Sequence, residues 1–187
     1  MSLEEDSEKR KRRINVMIRQ MEIDDLANVF HLGEELFKAE EAPNLYRTWD
    51  DYEVVELFHD DSDYCFVAEV DDEMIGFLLG TTITKSRSAW KYGHLVWLGV
   101  VPAFQRLGIA EKLFNRFRDR TVKSGVRMLL VDTDADNVAA LKFFRKMGFV
   151  NPQQHIYLNL NLAAQLQLRK NELNGVSSER RSRKKDD

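Results

Sequence analysis

The stretch Leu98-Gly99-Val100-Val101-Pro102-Ala103-Phe104-Gln105-Arg106-Leu107-Gly108-Ile109-Ala110 constrains the fold more than any other. An apolar strand runs into a proline, and a Gln-x-x-Gly-x-Ala turn then opens an amphipathic helix. A helix start leaves its first backbone amides unpaired and carries partial positive charge. Several amides aimed at one spot make a cradle for a phosphate or pyrophosphate. Gly108 removes the side chain where a ligand must approach the backbone, and Ala110 keeps the next contact small. The turn is not a Walker loop, because no Gly-Lys-Ser/Thr follows, and it lacks the three-glycine spacing of the dinucleotide fingerprint.

Downstream, Ala110, Leu113, Phe114, Phe117 and Thr121 fall on one helical stripe, and Gly125 ends that helix. A strand over 126–133 follows. A second helix is capped by Asn137, carries Ala140, Phe143, Phe144 and Met147 on one face, and stops at Gly148. Upstream, Ile14 to Arg19 reads as a strand. Asp24 or Asp25 caps a helix to about Glu40, with Leu26, Val29, Phe30, Gly33, Leu36 and Phe37 facing inward. A helix over 50–59 comes next, then strands over 63–70, 74–85 and 92–100, the first two joined by a tight turn at Asp71-Asp72-Glu73. The order β-α-α-β-β-β-α-β-α-β-β predicts an α/β fold with a mixed, mostly antiparallel central sheet flanked by helices.

Gln105-x-x-Gly108-x-Ala110 after a strand resembles motif A of the GNAT superfamily of N-acetyltransferases, and Asn137-x-x-Ala140-x-x-Phe143-Phe144-x-x-x-Gly148-Phe149 resembles its motif B. The two are in register over about 90–160, and the element order extends the resemblance to 14–162. It implies transfer of acetyl from acetyl-CoA to a primary amine: a protein N-terminus, a lysine, or a small polyamine or amino-acid-like acceptor. The alternative is a non-catalytic acyl-CoA-binding or regulatory module.

The resemblance assigns the cofactor cradle to Gln105, Arg106, Leu107, Gly108, Ile109 and Ala110. Leu98, Gly99 and Val100 belong where the family's strands splay and pair with the pantetheine arm, with the Val100 N–H as oxyanion donor. Asn137 and Phe144 reach the same arm. His94 stands at the offset where family members with a strand-borne base carry Glu or His, and histidine suits a general base. Period 2 puts His94, Val96, Leu98 and Val100 on one face. Glu69 or Asp132 are the alternatives. Phe144 departs from the family, which usually has Tyr there as the acid for the leaving thiolate; Tyr64 or Tyr157 is left to supply a hydroxyl, or water helps the thiolate leave. Glu34, Glu35, Tyr46, Trp49 and Tyr52 are candidates for the acceptor side.

Composition bounds the rest. At 187 residues one domain is expected, over 14–162, between basic tails at 1–13 and 163–187. No apolar run reaches membrane-spanning length, no signal-peptide pattern is visible, and a lone cysteine, Cys65, excludes an intrachain disulfide. A cytoplasmic protein follows as the expectation, with Cys65 a buried, inert thiol. Residues 14–84 carry 18 acidic and 3 basic side chains, a balance of −15; residues 85–162 carry 5 and 13, a balance of +8. A basic half suits a phosphate-rich cofactor and an acidic half a cationic acceptor. The tails lack interleaved aromatics, which speaks against nucleic-acid binding. His31, His59 and His155 are scattered, so no metal site is expected. A homodimer stays open.

Overall fold

The computed structural model describes residues 15–38, 48–84, 90–154, 156 and 162. The chain divides into two compact units, Met1–Gly148 and Phe149–Asp187, and every element named below lies in the first. Five strands form one sheet in the order β1-β2-β3-β4-β5: β1 Met17–Gln20, β2 Phe66–Val70, β3 Glu73–Thr84, β4 Lys91–Val100 and β5 Met128–Val131. The first three junctions are antiparallel and β4–β5 is parallel. The helices are α1 Leu26–Leu36, α2 Asp51–Asp61, α3 Ile109–Lys123 and α4 Val138–Lys146.

This is the mixed, mostly antiparallel sheet that the sequence predicts, through α4. Of the two final strands, residues 149–154 and 156 form none, and 157–161 lie outside the described residues, Tyr157 among them. So do Tyr46, Glu40 and the two tails at 1–13 and 163–187. The expected start of β2 shifts to Phe66, because Ser62–Tyr64 forms a 3-10 turn first. The hairpin loop is Asp71 and Asp72 alone, both at positive φ, as a two-residue turn between twisted strands requires.

One sheet face packs on α1 and α2. Val29, Trp49, Val54, Leu57, Val67, Phe77, Leu79 and Trp97 make its buried core. Aromatic rings dominate it: Phe37 to Trp97 at 4.8 Å, Trp49 to Trp97 at 5.1 Å and Trp49 to Phe77 at 5.3 Å between centroids. Rings of this size bury the most apolar area per residue and prefer tilted contacts. The opposite face meets α3, where Ile109, Leu113, Phe114, Phe117 and Thr121 are buried at helical spacing. Gly80 faces that helix, and a Cβ there would meet the Phe117 ring at 2.4 Å.

Candidate active site

β4 changes character partway along. Its parallel ladder with β5 runs only from Tyr92↔Met128 to Leu95↔Val131. Its antiparallel ladder with β3 continues to Val100. Residues 97–100 of β4 are therefore paired on one side, with β3, and the sheet forks between β4 and β5. The β3–β4 register slips between Leu79 and Gly80, which pair with Trp97 and Leu95 and leave Val96 as an extra residue. Such a bulge re-aims the side chains beyond it.

The bulge corrects the period-2 reading. His94 and Val96 line the α2 side of the sheet, and Trp97 joins the core on that side. Leu98 and Val100 pair with Leu78 and Gly76, which alternate with the α1-facing Phe77. They therefore point to the opposite face from His94.

The fork sets the backbone donors. Val101 N–H bonds the Ile75 carbonyl at 2.9 Å, so by antiparallel alternation the Gly99–Phe77 and Trp97–Leu79 pairs exchange hydrogen bonds across β3. The N–H and C=O groups of Leu98 and Val100 consequently turn away from β3, into the fork. Gln105 Nε2 donates to the Val100 carbonyl at 3.0 Å, which leaves the Val100 N–H on that side. Gly99 serves packing: a Cβ there would meet Leu36 Cδ1 at 2.7 Å.

At the mouth of the fork, Pro102–Phe104 makes a 3-10 turn and Arg106 takes φ 62°. Gly108 is the N-cap of α3 at φ 85°, and no side chain caps the helix. A Cβ on Gly108 would meet nothing within 4 Å, so the glycine is there for its backbone and not for packing. Lys112 N–H takes the Gly108 carbonyl at 3.0 Å, and the amides before it point out of the helix start. Asn137 Oδ1 accepts from Ala140 N–H at 3.0 Å as the cap of α4. The Phe143 and Phe144 rings meet edge-on at 5.4 Å.

On the α2 side of β4 lies a trough of about 260 Å³, lined by Glu53, Glu56, Leu57, Asp60, Thr81, His94 and Val96. Two ties fix how α2 runs beside it. Trp97 Nε1 donates to Glu53 Oε2 at 2.9 Å. At the other end, Asp61 Oδ2 accepts from Thr81 Oγ1 at 2.6 Å and from Thr82 N–H at 2.7 Å, and Thr81 pairs with His94. The helix therefore runs antiparallel to β4, with Glu53 toward the fork and Asp60 away from it. Glu53, Glu56 and Asp60 sit at i, i+3 and i+7, one face spanning about 10 Å at 1.5 Å per residue. Among the described residues the lining holds three carboxylates and no lysine or arginine, which makes this part of the trough acidic.

His94 Nε2 lies 2.9 Å from Asp132 Oδ1. The other sequence candidates are elsewhere. Arg19 holds Glu69 in an ion pair beside β1. Tyr64 is buried and donates to Ser124 Oγ at 2.8 Å, so its hydroxyl serves the α3 side of the sheet. Trp49 is core, its Nε1 donating to the Phe30 carbonyl at 2.9 Å. Tyr52 is exposed, as are Glu34 and Glu35 on α1, and none of the three lines the trough. Glu53, Glu56 and Asp60 were legible only as an acidic helix; their common face appears once α2 is placed against β4. Cys65 is fully buried, and burial pushes its thiol up to about 12.

A sequence model described as "Acetyltransferase (GNAT) family" matches residues 26–149. Among solved structures, the chain is similar to AAC(6')-Iy in complex with the bisubstrate analogue CoA-S-monomethyl-acetylneamine: 20% identity, TM-score 0.62, 79% of this chain and 99% of that one. It is similar to a chain of the NatC complex bound to Gag peptide and CoA, with 20% identity and TM-score 0.65 over 78% and 92% of the two chains. It is also similar to a transcriptional regulator from Bacillus halodurans C-125, with 18% identity and TM-score 0.63 over 78% and 100%. At these identities the likeness is one of fold.

Proposed function

The chain belongs to the acetyltransferase (GNAT) family, and from this premise we propose that it moves acetyl from acetyl-CoA to a cationic primary amine seated in the acidic trough beside β4. The observation that carries this reading is the placement of the Glu53, Glu56 and Asp60 face along the strand whose backbone opens at the fork. Three carboxylates at helical spacing favour an acceptor with more than one ammonium group over a monoamine.

Acetyl-CoA supplies the acyl group as a thioester. The residues at the fork suit it: the uncapped start of α3 after Gly108 offers amides to the pyrophosphate, and the inward-facing groups of Leu98 and Val100 offer partners to an amide-bearing arm. The Val100 N–H stands where an oxyanion would be held. His94 takes the proton that the ammonium must lose before its nitrogen attacks. Phe144 donates no proton, so the leaving thiolate draws its proton from water or from the nitrogen that has just been acylated.

Incubation with acetyl-CoA and a panel of monoamines, diamines, triamines and amino-terminal peptides, following free thiol, tests the reading. The expected result is thiol release that rises with the number of ammonium groups. Tight CoA binding without thiol release on any amine would favour the acyl-CoA-binding module.

A further inference from the structure

His94 and Asp132 meet where the sheet opens. The last pair of the parallel ladder is Leu95↔Val131, and Asp132 is the residue immediately after β5. Its Oδ1 stands 2.9 Å from Nε2 of His94. An ionised carboxylate can only accept, so when the imidazole is neutral the shared nitrogen carries the hydrogen and Nε2–H donates to Asp132. The lone pair of the ring is then at Nδ1. The histidine side chain is 24% exposed, so most of its surroundings are protein. Glu53, Glu56 and Asp60 of α2 and Thr81 of β3 share the trough with it. Asp132 stands at bonding distance from the ring.

We propose that Asp132 is a positioning residue for His94. It holds the neutral ring as the Nε2–H tautomer, makes Nδ1 the proton acceptor, and faces the positive charge that the ring gains. The proposal rests on the reading of His94 as the group that deprotonates the acceptor. In the step concerned, an N–H bond of R–NH3+ breaks and its proton forms an Nδ1–H bond. The ring becomes imidazolium, with its Nε2–H still on Asp132, and the amine keeps the electron pair that it uses for attack. The imidazolium then returns its proton to solvent. A carboxylate that merely tied β4 to β5 would select the same tautomer, but its loss would leave turnover unchanged. One that orients a base is needed for turnover, because the wrong tautomer presents a donor where a lone pair is needed.

The test uses the full chain labelled with 15N in its histidines, with spermidine as probe amine and thiol release as readout. In the wild type the His94 ring signals should show a protonated Nε2 and a bare Nδ1. Asp132→Asn should populate the other tautomer and lower kcat about 10-fold or more, with KM for acetyl-CoA within about twofold. Asp132→Glu, which keeps the carboxylate, should recover the tautomer and most of kcat. An unchanged tautomer in Asp132→Asn overturns the proposal, and so does a changed tautomer with unchanged kcat. A wild type that acetylates no amine at all overturns the functional reading and the positioning role with it. The NMR signature needs no turnover, so it separates that failure from a failure of the clamp alone.

Discussion

Trp97 Nε1 donates to Glu53 Oε2 at 2.9 Å, and this bond joins the aromatic core to the acidic wall of the trough. Trp97 is 7% exposed and is held by Phe37 and Trp49 through ring contacts. One oxygen of the Glu53 carboxylate is thus held by a side chain of the core.

The two ends of that bond should fail differently. Glu53→Gln keeps an acceptor for the indole and removes a charge, so the fold should hold while KM for a polyamine rises about 10-fold, one ion-pair-sized loss of about 1.4 kcal/mol. Trp97→Phe removes the indole N–H from the half-buried carboxylate, and should cost about 1–3 kcal/mol of stability as well. Urea melts beside steady-state kinetics check both. Equal kinetic losses without any difference in stability would count against the anchoring role.

A second prediction concerns acid. Arg19 donates to both carboxylate oxygens of Asp25, at 2.6 and 2.8 Å, and Glu22 N–H adds a third bond at 2.7 Å. The Arg19 guanidinium holds the Asp25 carboxyl below the usual carboxylate range, against the opposing effect of burial. A depressed folded-state value contributes stability that is fully present above the unfolded value of about 3.9, and is lost as pH falls through the folded value. Asp25→Asn should therefore be less stable than wild type by about 2 kcal/mol at neutral pH, and the gap should narrow progressively once pH falls below about 4. Urea midpoints measured from pH 7 to pH 3 read it directly; a constant gap over that range would show that the carboxylate charge is not the source.

Much of this was readable in advance, for physical reasons that differ by residue. The α3 stripe and the Asp71-Asp72 turn follow from local periodicity and turn chemistry, and both stand where the sequence puts them. The bulge at Val96 does not, because nothing in Leu95-Val96-Trp97 differs from ordinary strand residues; the slip comes from pairing with β3. It carried the Leu98 and Val100 side chains to the face opposite His94 while leaving their backbone in the fork. The acidic trough was hidden for a similar reason. Glu34 and Glu35 look as suitable as Glu56 and Asp60 until α2 is tied to β3 through Asp61. Gly33 reads as an inward helical position, but only the fold shows that a Cβ there would meet the Trp49 ring at 2.0 Å.

Cys65 supplies a third prediction. Its thiol is fully buried, lies 3.8 Å from the Leu57 and Asp61 carbonyls, and is pushed up to about 12 by desolvation. The thiolate is the reactive form, so the native protein should resist an aromatic disulfide reagent at pH 8 and react once unfolded in urea. Cys65→Ala should keep kcat within about twofold, at a stability cost of about 1 kcal/mol for the cavity. A large fall in kcat without unfolding would overturn the inert role of this thiol.

The last prediction separates the cofactor cradle from the fold that carries it. Gly108 sits at φ 85° with open space where a Cβ would go. Gly108→Ala therefore meets no clash, and its cost is the left-handed backbone alone, about 1–2 kcal/mol. Gly108→Glu pays the same backbone cost and adds a negative side chain at the helix start, where a pyrophosphate would need the amides. The two variants should melt alike, yet the glutamate should weaken CoA binding by about 100-fold or more, against about 10-fold or less for alanine. Calorimetric titration with CoA, beside thermal melts of both proteins, measures the two quantities separately. Equal CoA affinity in the glutamate variant and the wild type would remove Gln105–Ala110 as the phosphate cradle, whatever becomes of the acceptor trough.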